Sequence, residues 1–230
     1  MPPRPAIPRP TAARVSLYLR ELEVRLDRGQ ITVRSRELGD SLGFTDAQIR
    51  KDLRLLGLSG HPGVGYGIRD LLGRLRRLCG TDHECPVAIV GAGNIGRALL
   101  SYGRFETEGF RIAAVFDADE AKVGERLGRS TVRSMSELRD RVQRLGIRIG
   151  IVATPPESAQ EAAERLVEAG VDGILNFAPR RLELPTGISV TEVDLSMSLV
   201  NLSLQIALSR MNRVEQAAPR TRRSTRTRPA

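Results

Sequence analysis

Three glycines in the run Gly91-Ala92-Gly93-Asn94-Ile95-Gly96 have the spacing of a turn that wraps a dinucleotide pyrophosphate. The apolar run Val87–Val90 comes before it and a helix-like stretch follows from Arg97, so the order is strand, glycine turn, helix. The glycines let the backbone bend tightly and approach the phosphates, whose charge then meets unpaired amides at the helix N-terminus. Asp117 closes the next apolar run, roughly 20 residues past the turn as the fingerprint requires. A carboxylate there accepts both hydrogens of a ribose diol and repels a 2′-phosphate, which selects NAD(H) over NADP(H). Thr154-Pro155 and Asn176-Phe177 follow two further apolar runs. Loops at the carboxyl ends of parallel strands line a ligand crevice, so these four residues are expected around the nicotinamide half. The competing reading for Asp117 is a helix cap after the strand, and for both loops it is ordinary strand-to-helix turn chemistry.

A second set of residues carries charge rather than a pocket. Arg50, Lys51 and Arg54 point away from the apolar positions Ile49 and Leu53 of one helix. Cations on such a face reach phosphates and guanine edges in a major groove. A solvated charged face is the plainer alternative. The charge distribution favours DNA. The net charge is +9, yet residues 1–80 carry 15 arginines and lysines against 8 acids, whereas residues 81–215 carry 16 against 19. A basic N-terminal third on an acidic body points to a polyanion partner for that third.

Other chemistries find little support. The two histidines, His61 and His83, both precede the glycine turn, and hydride transfer needs an acid–base group beside the nicotinamide. Cys79, His83 and Cys85 are three mixed ligands without a partner pair and read as linker residues, so no metal is expected. Two cysteines are too few for a disulfide framework. No apolar run approaches the roughly 18 residues of a membrane span, and the start Met1-Pro2-Pro3-Arg4-Pro5 has no signal core, so the expected location is cytoplasmic.

Positioning these groups needs two kinds of architecture. Residues 1–10 are proline-rich and are expected to form a flexible arm. Thr11 is the predicted cap of a helix running to Arg28, with Val15, Leu19, Leu22 and Leu26 on one face. A second helix fits Ser35 to Leu42 and stops at Gly43. A third opens on the capping box Thr45-Asp46-Ala47-Gln48 and turns Ile49, Leu53 and Leu56 inward. The last two helices form a helix-turn-helix, and the glycine-laden segment 60–67 is the tip of a hairpin wing. A helix is expected over Asp70 to Cys79, then a linker at 81–86.

From there apolar strands alternate with helices. Strands are predicted at Val87–Val90, Arg111–Phe116, Ile149–Ala153, Gly173–Asn176 and Ile188–Val193, and helices at Ile95–Phe105, Ser136–Leu145 and Ser158–Ala169. The expected fold class is α/β: a winged helix-turn-helix at 11–80, then a doubly wound parallel (Rossmann) sheet at 87–193. A last helix at 194–215 has two apolar stripes: Leu195, Leu199, Leu202 and Ile206 form one, and Met197, Val200, Leu204, Leu208 and Met211 the other. A surface helix has a single stripe, so two bodies must cover this one. Either it lodges between two subunits or it is buried in its own monomer. The arginine-rich tail, 216–230, is expected to be disordered.

Together these residues resemble the Rex family of bacterial redox-sensing transcriptional repressors. The resemblance runs from about Ile7 to Met211 and is carried by Ala47-Gln48-Ile49-Arg50-Lys51-Asp52-Leu53, Gly63-Val64-Gly65-Tyr66, the glycine turn, Gly173-Ile174-Leu175-Asn176-Phe177-Ala178-Pro179 and Val193-Asp194. It implies a homodimer with swapped C-terminal helices, repression while NAD+ dominates and release from a near-palindromic operator when NADH binds. It also implies a tyrosine near the nicotinamide, matching Tyr102, and an arginine–aspartate pair, matching Arg14 and Asp194. The residues expected on DNA are then Ser35, Gln48, Arg50, Lys51 and Arg54, with His61, Gly63 and Tyr66 in the wing. The wing departs from the family: Pro62 stands where a basic residue often precedes Gly-Val-Gly-Tyr. Two other functions remain as alternatives, an NAD-dependent oxidoreductase with an accessory N-terminal domain and a non-specific architectural DNA binder.

Overall fold

The computed structural model describes residues 7–217. The expected arm, for residues 1–6, and the expected tail, from 218 on, lie outside the described residues. Two units divide the chain: residues up to Val87 with Ser101–Ala113, and Ala88–Leu100 with everything from Ala114.

The first unit begins with α1 (Arg9–Asp27). Thr11 does not cap it. Pro8 is the N-cap and a proline occupies the first turn, where its fixed φ suits the helix and its missing N–H costs nothing. Thr11 lies inside the helix and is buried. A short strand β1 (Thr32–Val33) leads into α2 (Ser35–Leu42), which Gly43 ends in the left-handed conformation. Helix α3 (Asp46–Leu55) starts on Thr45, whose hydroxyl accepts the Gln48 amide hydrogen at 3.2 Å. The wing is smaller than a full hairpin: an isolated His61–Gly65 bridge, then β2 (Tyr66–Gly67). Its strand partner is β1, paired antiparallel with Val33 opposite Tyr66. Helix α4 (Ile68–Cys79) closes the unit's core, where Val15, Tyr18, Leu22, Leu38, Ile49, Leu53, Ile68 and Leu75 pack together.

The remaining elements build a seven-stranded sheet. In chain order its strands are β3 (Cys85–Val90), β4 (Phe110–Asp117), β5 (Arg126–Leu127), β6 (Ser130–Ser134), β7 (Ile149–Val152), β8 (Gly173–Asn176) and β9 (Ser189–Glu192). Their spatial order is β5-β6-β4-β3-β7-β8-β9. Parallel pairing joins β4 to β6, β7 to β8 and β8 to β9, and the short edge pair β5–β6 is antiparallel. Crossovers run through α5 (Asn94–Leu100), α6 (Arg104–Thr107), α7 (Leu138–Arg144) and α8 (Pro156–Ala169). The single helix predicted at 95–105 is two helices, broken at Ser101-Tyr102-Gly103. That of 136–145 starts as a 3-10 turn, Met135–Glu137. Strands β5 and β6 were not expected, because a two-residue strand and the run Ser130-Thr131-Val132-Arg133-Ser134 carry almost no apolar pattern.

Last comes α9 (Leu195–Ala217). Asp194 caps it, its Oδ1 accepting the Ser196 and Met197 amide hydrogens at 2.8 and 3.1 Å. Both apolar stripes are bare: Leu195 is 72% exposed, Leu199 67% and Ile206 46%. In the single chain this helix is thus left uncovered.

Candidate functional site

The carboxyl ends of β3, β4 and β7 surround a cavity of about 550 Å³. Sheet order reverses at β3, and such a switch point is where open α/β sheets bind ligands. Of the residues expected at a cofactor, Gly91, Gly93, Asp117, Thr154 and Pro155 line it. Gly91 has φ +107, and a Cβ there would sit 2.4 Å from the Ala153 carbonyl oxygen. A Cβ at Gly96 would fall 1.9 Å from the Gly91 oxygen, so α5 starts hard against the turn. Gly93 differs: among the described residues, none beyond its own chain neighbours comes within 4 Å of where its Cβ would be. That opening leaves room for a ligand to lie against the backbone.

Asp117 is buried at the end of β4. Its Oδ2 accepts the Ala92 amide hydrogen at 2.7 Å and its Oδ1 that of Asp119 at 2.9 Å. Lys122 stands 3.4 Å from it and from Asp119. Burial pushes the Asp117 carboxyl up, but these amides and the Lys122 charge outweigh it and hold it below the usual range. An ionised Asp117 thus braces the glycine turn and offers its remaining lone pairs to a diol. Arg97 braces the turn from the other side, with Nε on the Ala92 carbonyl at 3.0 Å and a two-pronged pair to Glu125 at 2.6 and 2.5 Å. The buried Thr154 hydroxyl has no hydrogen-bond partner among the described residues. Buried polar groups are normally satisfied, so an orphan on a cavity wall marks a place for a polar ligand. The lining suits a nucleoside diphosphate: a carboxylate for the ribose, a glycine turn for the phosphates and a waiting hydroxyl.

The other expected cofactor residues lie elsewhere. Ala92, Asn94, Ile95 and Gly96 form the turn and the start of α5 without lining this cavity. Asn176 is buried and organises its own loop, with Nδ2 on the Arg180 carbonyl at 2.7 Å and Oδ1 accepting from the Ala178 amide at 3.0 Å. Phe177 donates its amide to Val152 at 2.9 Å. Tyr102 belongs to the first unit, half exposed, edge-on to Phe105 with ring centroids 5.2 Å apart. Sequence reasoning missed Ser134, Met135, Ser136 and Arg165, which also line the cavity. Ser134 ends β6 and Met135 and Ser136 open the 3-10 turn that follows it, and that strand had no readable pattern.

The surface expected on DNA is built on α3. Arg50, Lys51 and Arg54 are exposed there. Arg50 is held by Asp46 at 2.6 Å and Ser35 at 3.3 Å, which brings α2 and α3 together at this face. Gln48 turns inward instead, its Nε2 on Asp52 at 2.9 Å. His61 and Gly63 are exposed in the wing, and Tyr66 is half-buried against Gly60.

Beneath that face sits an unexpected hub. The Asp52 carboxylate is buried and accepts from Thr11 (3.0 Å), Arg14 (2.6 and 2.9 Å), Tyr18 (2.5 Å) and Gln48. Burial alone would raise its pKa, but Arg14, Tyr18, Thr11 and Gln48 outweigh it and hold it at about 2. Arg14 also lies over the Phe44 ring, 5.6 Å from its centroid. Arg14 and Asp194, the expected pair, are thus each engaged within the chain, on Asp52 and on the α9 N-terminus.

Comparisons with known proteins bear on both halves. The family description "CoA binding domain" matches residues 82–180, and "Putative DNA-binding protein N-terminus" matches residues 6–53. A redox-sensing transcriptional repressor Rex of Streptomyces griseus is 45% identical over 193 residues, covering 84% of this chain and 76% of the relative. The chain belongs to the Rex family. A Rex of Carboxydothermus hydrogenoformans is 41% identical over 200 residues, covering 87% of this chain and 96% of that one. Among solved structures, the Rex-family repressor RSP matches with a TM-score of 0.82 and 32% identity, covering 92% of this chain and 99% of RSP. RSP has also been solved in complex with beta-NAD+ and operator DNA, and with beta-NADH, at TM-scores of 0.82 and 0.80. Among the described residues no helix is long and apolar enough to cross a membrane.

Proposed function

We propose that this chain is a DNA-binding transcriptional repressor that reads the NADH/NAD+ ratio, bound to its operator when NAD+ dominates and released by NADH. The observation that carries the reading is the joining of two parts in one Rex-family chain: a helix-turn-helix face with exposed Arg50, Lys51 and Arg54, and a glycine-turn cavity walled by ionised Asp117. Residues 11–80 serve as the winged-helix domain, 81–86 as linker, 87–193 as the NAD(H) domain and 194–215 as a helix swapped between two copies. The bare stripes of α9 support the swap, since a homodimer gives them two bodies to pack on. The protein works in the cytoplasm as a regulator, and the reading assigns it no catalytic step. Both histidines lie in the first unit, away from the glycine turn in sequence.

Bound NAD+ carries a ring charge and an aromatic plane that NADH lacks. Asp117 would hold the ribose diol, the turn at Gly91 and Gly93 the phosphates, and Thr154 and Pro155 the approach to the ring. Tyr102, Arg14 and Asp194 form the proposed switch. In the single chain Arg14 is tied to Asp52 and Asp194 to its own helix, so a switch through them must trade those partners between two states. The ligand can move that equilibrium only by its differential affinity for the two. Two α3 helices one DNA turn apart would read a near-palindrome. The deciding experiment is a gel shift with NADH titrated against constant operator. Release by NADH with NAD+ neutral or favourable supports the reading, and equal effects of both cofactors overturn it.

A further inference from the structure

We propose that Arg34 supplies the phosphate-binding cation of the wing; this rests on the DNA-binding reading and adds a residue to it. From Gly57 to Gly67 the chain holds no arginine or lysine. A wing laid along a DNA backbone without a cation gains none of the counterion release that dominates such contacts. Arg34 lies far earlier in sequence, between β1 and α2, yet its Nη2 donates to the Gly63 carbonyl at 3.4 Å.

The backbone fixes that approach. Val33 pairs with Tyr66 across the β1–β2 ladder. Gly65 is pressed so closely on β1 that a Cβ there would sit 2.4 Å from the Val33 oxygen and 3.2 Å from the Arg34 Cα. Arg34 is therefore carried by the wing's own strand partner. Its side chain lines an open groove of about 630 Å³ with Ser35, Arg36, Asp46, Arg50 and His61, where Asp46 is already the partner of Arg50. A guanidinium has five N–H donors in a rigid fork, so the Gly63 bond leaves others for a phosphate. Ser35 and Arg50 of the expected DNA set border the same groove, which makes one continuous basic surface from α3 to the wing.

The test uses the full chain with NAD+ and two probes: the duplex it selects from a random-sequence library, and a mixed-sequence duplex of equal length. Affinity is measured from about 50 to about 400 mM salt, the range over which counterion release is readable. R34A should flatten the plot of log K against log salt by about 2 for a dimer, at ~0.9 per phosphate. That corresponds to roughly 30-fold weaker binding near 0.15 M salt. R34K should keep the wild-type slope, and adding P62R to R34A should restore it, with melting temperature and NADH affinity unchanged throughout. If R34A does not fold, R34Q carries the same expectation. An R34A slope equal to wild type on both duplexes overturns the proposal, as does a loss that P62R does not restore. The repressor reading fails separately, if wild type shows no preference for the selected duplex, and the mixed-sequence slope then still reports on Arg34.

Discussion

Tyr18 and Asp52 meet at 2.5 Å inside the first unit, phenol to carboxylate, with neither residue reached by solvent. Tyr18 comes from α1 and Asp52 from α3, so this contact and the Arg14 pair beside it lock the orientation of one helix on the other. A carboxylate buried among four donors holds only if the donors stay. Removing it strands a guanidinium, a phenol and a hydroxyl together. Asp52→Ala should therefore destabilise the first unit by about 3 kcal/mol, the scale for breaking a buried pair. Tyr18→Phe, which removes one bond to a charged acceptor, should cost about 1.5 kcal/mol. Urea unfolding followed by a probe in the first unit measures both. No measurable loss for Asp52→Ala would mean that the buried carboxylate contributes nothing net.

The same carboxylate gives the first unit an acid limit. Its pKa is about 2 folded and near the ordinary carboxylate value unfolded, so the folded state favours the ionised form. The stabilisation is complete above the unfolded value and disappears as pH falls from about 4 toward about 2, amounting to about 2 kcal/mol. Urea midpoints at intervals across that window should drop for wild type and drop less for Asp52→Asn. Parallel curves for the two proteins would remove Asp52 from the explanation.

The cavity yields a prediction with two signs. Thr154 buries a hydroxyl with no partner among the described residues, which costs the unliganded protein and repays a ligand that can bond to it. Thr154→Val keeps the shape and deletes the hydroxyl. The free protein should gain about 1 kcal/mol, and NADH affinity should fall about fivefold or more. Melting of the free chain and a fluorescence titration with NADH read the two effects. An unchanged affinity would place the hydroxyl outside the ligand's reach.

Asp117 carries two loads that a substitution separates poorly, since it holds the Ala92 amide as well as the ribose position. Asp117→Asn retains an acceptor for that amide and removes the charge. NADH affinity should fall about tenfold, and the preference over NADPH should shrink because the repulsion of a 2′-phosphate is gone. Titration with both reduced cofactors gives the ratio. A preference as strong as in wild type would assign the selectivity elsewhere on the cavity wall.

What could be read from sequence was local. The glycine turn with Asp117, and the helix Ser35–Leu42 with its Gly43 stop, each declare themselves within a few residues. The Asp52 hub did not, because Thr11 and Asp52 are 41 positions apart and only the packing of α1 on α3 brings them together. For the same reason Thr11 read as a cap: a threonine ahead of an apolar face signals a helix start, and the prolines before it took that role. The strand β1 was missed because two residues carry no period, although it is what brings Arg34 to the wing. Lys122 and Arg97 fell outside the motif since their roles are to hold Asp117 and the turn in place.

The last helix offers the most direct test of assembly. In one chain α9 leaves Leu199, Leu202 and Ile206 exposed on one side and Val200, Leu204 and Leu208 on the other. Apolar surface of that extent is rarely left to water in a monomer, and burying one leucine side chain contributes about 2 kcal/mol. A charge in each stripe should separate the copies: Leu202→Glu on one and Leu204→Glu on the other, made singly and together. Sedimentation equilibrium should show a dimer for wild type, a weakened dimer for each single variant and a monomer for the pair. If α9 holds two α3 helices in register, the monomer must also lose most of its operator affinity, because each half-site alone offers only half of the contacts. A paired variant that remains dimeric would show that the two copies, if they associate, do so through another face.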